Sequence, residues 1–146
     1  MKLISIRLHP FGKFDDVVHT FTSGIHVIEG PNEFGKSTMS NAIRHALYTP
    51  TALTPAKLQK AIGEWFPHPY GVQCAVTLVI EEDGITYTIA KAWSKQGSTS
   101  LTGSNGEHLI GSAAEARIND IVGFNQATWD YVFHTSQAAL ADTVEA

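Results

Sequence analysis

Gly30-Pro31-Asn32-Glu33-Phe34-Gly35-Lys36-Ser37-Thr38 is the stretch of this chain whose residue types and spacing can do chemistry. Its first eight residues fit G-x-x-x-x-G-K-[ST] without a mismatch, a pattern suited to capturing a polyphosphate anion. Such an anion needs a concave array of main-chain N–H donors, and glycine lets the backbone approach it closely. The amides from Asn32, Glu33 and Phe34 through Thr38 are expected to curl around it. Gly35, Lys36, Ser37 and Thr38 should open a helix, so that its positive end faces the β- and α-phosphates. Lys36 would bring an ammonium to the β- and γ-oxygens. The Ser37 hydroxyl is the expected Mg²⁺ ligand, completing an octahedral shell of phosphate oxygens and waters, and Thr38 is expected to donate to the α-phosphate.

The elements around this loop must hold it open at the end of a strand. Ile25-His26-Val27-Ile28-Glu29 is apolar enough for a central strand that delivers the chain to Gly30. Beyond the loop, Met39, Ala42, Ile43, Ala46 and Leu47 recur with helical period, which predicts a helix over 37–48 laying one face on a sheet. Leu3–Leu8 and Val17–Phe21 read as strands, broken apart by Pro10 and Gly12. Thr49–Gly71 reads as a surface insertion with one short helix, capped by Thr54 with Pro55 at its first position. Val72–Ile80 and Ile85–Trp93 alternate on either side of Asp83-Gly84, the mark of a tight antiparallel hairpin. Asn105-Gly106 marks a second, smaller hairpin within Ser98–Ile110. Ser112 and Glu115 read as a capping box for a helix ended by Gly123, and Asn125 as the cap of a further helix carrying Trp129, Val132 and Phe133.

Composition narrows the class. Hydrophobic residues are 43% and charged residues 16%, the balance of a globular domain rather than a disordered tail. The 146 residues suit one domain. A net charge of −4 with scattered Lys and Arg provides no basic footprint for nucleic acid. Residues 1–7 contain no signal-peptide apolar core and no run reaches transmembrane length, so a cytoplasmic protein without a membrane partner is expected. The single cysteine, Cys74, falls in an alternating apolar segment and reads as core packing. Seven histidines have no metal-ligand spacing. Trp65, Trp93 and Trp129 read as core residues. Lys91 and Lys95, near the end of the long hairpin, read as solvated, with contact to DNA phosphates as the alternative.

Three segments together resemble the N-terminal lobe of the Rad50/SbcC, SMC and RecF group of ABC-class ATPases, and among them the bacterial YhaN-type AAA-like proteins. They are Phe11-Gly12-Lys13-Phe14, the run from Gly24 to Thr38, and Val132-Phe133-His134-Thr135-Ser136-Gln137. The resemblance implies an α/β P-loop NTPase fold, lobe I of an ABC-class head, with a mixed β-sheet, flanking helices and an antiparallel hairpin extension. It implies ATP and Mg²⁺ as cofactors. Gln137 would reach Mg²⁺ and the attacking water, a catalytic role shared with Lys36. Lys13 stands where relatives place a basic residue on the nucleotide phosphates, although a solvated surface lysine fits the same position. Glu33 stands where many SMC-like proteins have glycine, and reads as a mark of the subfamily.

The same resemblance implies that residues 1–146 are the N-terminal lobe of a longer coiled-coil protein. A second lobe of the same or a partner chain would complete the ATPase, and two heads would meet as a dimer. Nucleotide would drive head engagement in a DNA-maintenance or defence protein, with DNA or a nuclease as partner. Leu78-Val79-Ile80-Glu81-Glu82 imitates the apolar strand that ends in a catalytic acid, but it runs into the Asp83-Gly84 turn. By itself the chain is therefore expected to bind ATP and hydrolyse it poorly. Two rivals use the same loop. One is a nucleotide-sensing or dimerising module that never hydrolyses; the other is a small-molecule kinase, which fits poorly with only Arg7, Arg44 and Arg117 to form a lid.

Overall fold

Alternation in sequence becomes alternation in burial. In the computed structural model, which describes residues 2–12, 14–21, 33–66 and 73–123, with backbone alone at 33–37, 39 and 40, six strands and three α-helices are found. In chain order they are β1 (Lys2–Leu8), β2 (Val17–Thr20), α1 (Glu33–Tyr48), α2 (Pro55–Ile62), β3 (Cys74–Glu82), β4 (Ile85–Trp93), β5 (Ser98–Gly103), β6 (His108–Ile110) and α3 (Gly111–Val122). A 3₁₀ turn, Gly63–Trp65, follows α2.

The strands form one sheet in the order β2-β1-β3-β4-β5-β6, with every described pairing antiparallel. Asp83 and Gly84 join β3 to β4 with φ of 53° and 77°, the positive angles a two-residue turn needs to match strand twist. Cys74, Val76, Leu78 and Ile80 on β3 are buried and pair with Trp93, Lys91, Ile89 and Tyr87, buried on β4. Helix α1 packs on β3 and β4, α3 packs on β5, and the two helices touch each other. Ala42, Ile43, Ala46 and Leu47 line the buried side of α1, as their spacing predicts, and Ala114, Ile118 and Val122 that of α3. Thr54 caps α2 through its hydroxyl, with Pro55 in the first turn.

Three expectations change. Helix α1 begins at Glu33, four residues before Ser37, so the helical conformation takes in most of the glycine-rich stretch. The segment read as a surface insertion joins the core: Thr51, Leu58, Ile62 and Phe66 are buried. Its prolines interrupt helix periodicity, and that hid the apolar residues between them. Helix α3 begins at Gly111, with φ of +65°, and Ile110 makes no side-chain cap. Glu115 is engaged by Lys91 and Thr99 instead of a capping box. The described strands pair antiparallel throughout; the strand expected at 25–29, whose pairing decides whether the sheet is mixed, lies outside the described residues, as do the helix expected after Asn125 and Trp129. Among the described residues, no helix is long and apolar enough to cross a membrane.

Candidate functional site

Phe11 and Phe14 exchange main-chain hydrogen bonds of 2.9 and 3.1 Å, closing a tight turn whose second residue, Gly12, has φ of +59°. A side chain at Gly12 would be both strained and crowded. Its Cβ would lie 3.3 Å from Cε3 of Trp65 and 3.7 Å from Cγ2 of Thr38. Gly12 N–H donates to the Trp65 carbonyl at 2.6 Å, and Phe11 stacks on the Trp65 ring with centroids 5.0 Å apart and planes 15° apart. Gly12 is therefore sandwiched between Trp65 and Thr38, near the start of α1. Thr38 itself is buried.

Gly12→Ala should accordingly cost about 1–2 kcal/mol, the usual expense of left-handed backbone at a residue with a Cβ. Urea denaturation measures it. A stability change within a few tenths of a kcal/mol would mean that Thr38 and Trp65 do not confine the turn.

In a helix that starts at Glu33, the helical amides lacking intrahelical acceptors are the first ones, 33–35, rather than 35–38. Glu33, Phe34, Gly35, Lys36 and Ser37 all belong to α1, so the chain places a lysine and a serine in the helix's first turns, beside its free amides. That donor set suits a Mg-bound polyphosphate: amides and an ammonium for phosphate oxygens, a small hydroxyl for a hard cation. Asn32, Lys13 and Gln137 lie outside the described residues. Thr38 is the one proposed ligand whose side chain is described, and its methyl group faces the Gly12 turn.

The other end of α1 is built differently. His45, in the last turn, is 5% exposed, and its Nδ1 is 2.7 Å from the Thr49 hydroxyl. Its ring lies 6.3 Å from Phe11 and 6.4 Å from Trp93, centroid to centroid. Burial, reinforced by the charges of Arg44 and Lys91, holds its pKa down to about 4, so the imidazole is neutral at pH 7. Burial likewise pushes the Cys74 thiol up to about 12, which keeps it an unreactive core residue, as its apolar setting predicts.

Lys91 is neither solvated nor placed for DNA. It is 1% exposed, and its Nζ donates to Glu115 Oε2 at 2.8 Å and to the Thr49 carbonyl at 2.9 Å. Desolvation lowers its pKa, opposed by Glu115. Strand parity carried the clue: Lys91 falls on the same face as Tyr87, Ile89 and Trp93, all of which are buried. Lys95 is exposed. Glu82 stands at the end of β3 opposite Ile85, where the hairpin turns. Arg7, on the exposed face of β1, is taken up by Asp16 at 2.9 and 3.0 Å. Among the described residues no group of three or more His, Cys, Asp or Glu could hold a metal ion.

A family model described as an AAA domain matches residues 5–144, nearly the whole chain. No curated protein matches closely enough to count as a relative. An AAA domain brings nucleotide-binding, ATPase-like function with it, in keeping with the lysine and serine at the start of α1. The chain belongs to this AAA domain family, an AAA-like domain found in ATPases of the SMC and Rad50 type.

Proposed function

We propose that the chain is lobe I of an ABC-class P-loop ATPase head and binds Mg-ATP through residues 30–38. The observation that carries this is that residues 33–38 of the motif form the start of α1, with Gly12 closing in on Thr38. Main-chain amides near the start of α1 hold the β- and α-phosphates, and Lys36 neutralises the β- and γ-oxygens. Ser37 and Gln137 hold Mg²⁺, which supplies charge neutralisation on the transferred group. Lys13, which follows Gly12 in the sequence, adds a second cation.

A second lobe, from the same or a partner chain, supplies the rest of the hydrolytic machinery. Nucleotide then drives head-to-head engagement, and hydrolysis releases it, in a DNA-maintenance or defence protein with DNA or a nuclease as partner. A second reading, binding without hydrolysis in a sensing or dimerising module, draws support from Glu82. The segment that imitates a catalytic acid strand ends in the Asp83-Gly84 hairpin.

Calorimetric titration with Mg-ATP separates these readings when turnover is followed on the same samples. Wild type should bind, and Lys36→Ala should bind at least about tenfold more weakly, with an unchanged melting temperature, because a charge-assisted phosphate contact is lost. Equal affinity in the two proteins would overturn the proposal. Binding without turnover, even when the second lobe is supplied, would select the sensing module. Brisk hydrolysis by the isolated chain would show that no second lobe is required.

A further inference from the structure

The exit of α1, Thr49 to Thr51, is held by a buried polar network unlike anything else in the described core. Lys91 on β4 donates to the Thr49 carbonyl at 2.9 Å and to Glu115 on α3 at 2.8 Å. The other Glu115 oxygen accepts the Thr99 hydroxyl from β5 at 2.7 Å. That commits the Thr99 proton, so Thr51 is the donor in the 2.6 Å contact between the two hydroxyls. The Trp93 indole N–H donates to the Pro50 carbonyl at 3.2 Å, and Thr49 is joined back to His45 at 2.7 Å.

The sheet does not need these bonds, since its ladders close independently of them. What they join are the two helices. The side chain of Lys91 has no exposed surface, and its two acceptors stand on the exit of α1 and on α3. Sliding one helix against the other would pull a desolvated ammonium from one of its acceptors, and the penalty rises steeply with displacement. An apolar contact in the same place would resist such a shift far less.

We propose that the Lys91–Glu115 pair is a positioning device that couples nucleotide occupancy at the start of α1 to the setting of α3. This rests on the reading that residues 30–38 bind nucleotide, and adds how that event reaches the rest of the lobe. Neither residue touches nucleotide; both act through α1. The ammonium also lies at the negative end of the α1 dipole, opposite the end where phosphate binds. Linkage makes the effect reciprocal: loosening α3 from α1 must weaken nucleotide binding by the same factor that nucleotide stiffens α3.

Backbone amide exchange, followed by mass spectrometry on the whole chain with and without Mg-ATP, provides the test, with calorimetry on the same samples. In the wild type, exchange should slow both at 33–38 and at 111–122. In Glu115→Gln the slowing at 33–38 should persist while that at 111–122 is lost, and affinity should fall about fivefold or more. Thr99→Val, which removes one hydrogen bond and leaves the ion pair, should give an intermediate loss, and it keeps the test decisive if Glu115→Gln does not fold.

Slowing confined to 33–38 in the wild type would overturn the coupling while leaving the nucleotide site standing. So would undiminished slowing of α3 in Thr99→Val together with unchanged affinity. Absence of nucleotide binding in the calorimeter would instead overturn the functional reading and this inference with it.

Discussion

Glu115→Ala should destabilise the chain by about 3–5 kcal/mol, because it leaves the buried Lys91 ammonium with a carbonyl as its remaining acceptor. Lys91→Met should cost less. Glu115 has a side chain 20% exposed and keeps the Thr99 hydroxyl, so its carboxylate can recruit water once the ammonium is gone. Replacing both partners, Lys91→Met with Glu115→Leu, should come close to neutral, since desolvation of two charges offsets much of their attraction. Urea unfolding of wild type and the three variants measures each effect. If Lys91→Met proves the more damaging single change, the ammonium is not the group that depends on the pair.

The second large effect is acid sensitivity arising inside α1. His45 has its pKa lowered from 6.5 to about 4, first by burial and then by the charges of Arg44 and Lys91. Its Nδ1 meets the Thr49 hydroxyl, while Nε2 is buried without a hydrogen-bond partner among the described residues. Because the folded pKa is the lower one, the unfolded chain binds the proton more readily between these values. Stability from the neutral ring is therefore complete above pH 6.5 and is lost as pH falls toward 4, a change of roughly 3 kcal/mol.

His45→Leu should remove most of the slope in that window. A smaller part remains with His9, whose pKa is lowered chiefly by burial and then by Arg7. Denaturation midpoints collected from pH 7 to pH 4 decide the matter, and parallel profiles for wild type and variant would sink the claim.

Much of the fold could be read from local chemistry because the turns and caps carry their own instructions. Asp83-Gly84 and Asn105-Gly106 marked both hairpins, Thr54-Pro55 marked α2, and the spacing of Ala42, Ile43, Ala46 and Leu47 marked the buried side of α1. What escaped the sequence depends on residues distant along the chain. Glu115 looked like half of a capping box because its neighbour Ser112 has the right spacing, whereas its partners Lys91 and Thr99 come from strands. A lysine in a strand reads as solvated unless an acid arrives from elsewhere, and only its parity with Tyr87, Ile89 and Trp93 contradicted that. Thr51 and Leu58 were hidden by the prolines around them.

At the candidate site, residue identity was legible and geometry was not. Lysine, serine and glycine spacing announced a phosphate loop, but spacing does not say where a helix begins, and α1 reaches back to Glu33. The clasp of Gly12 between Thr38 and Trp65 joins residues from three separate stretches. A local pattern cannot encode such a meeting, and Gly12 read only as a strand breaker.

The strand order has a consequence for how the chain assembles. From β3 to β6 each strand neighbours its predecessor, so this meander forms by closing short loops whose entropic cost is small. Pairing β1 with β3 is different, since Leu8 meets Val76 only after everything between them has been drawn into one long loop. The meander is thus a template of local contacts, and it includes β3 and β4, the two strands on which α1 packs.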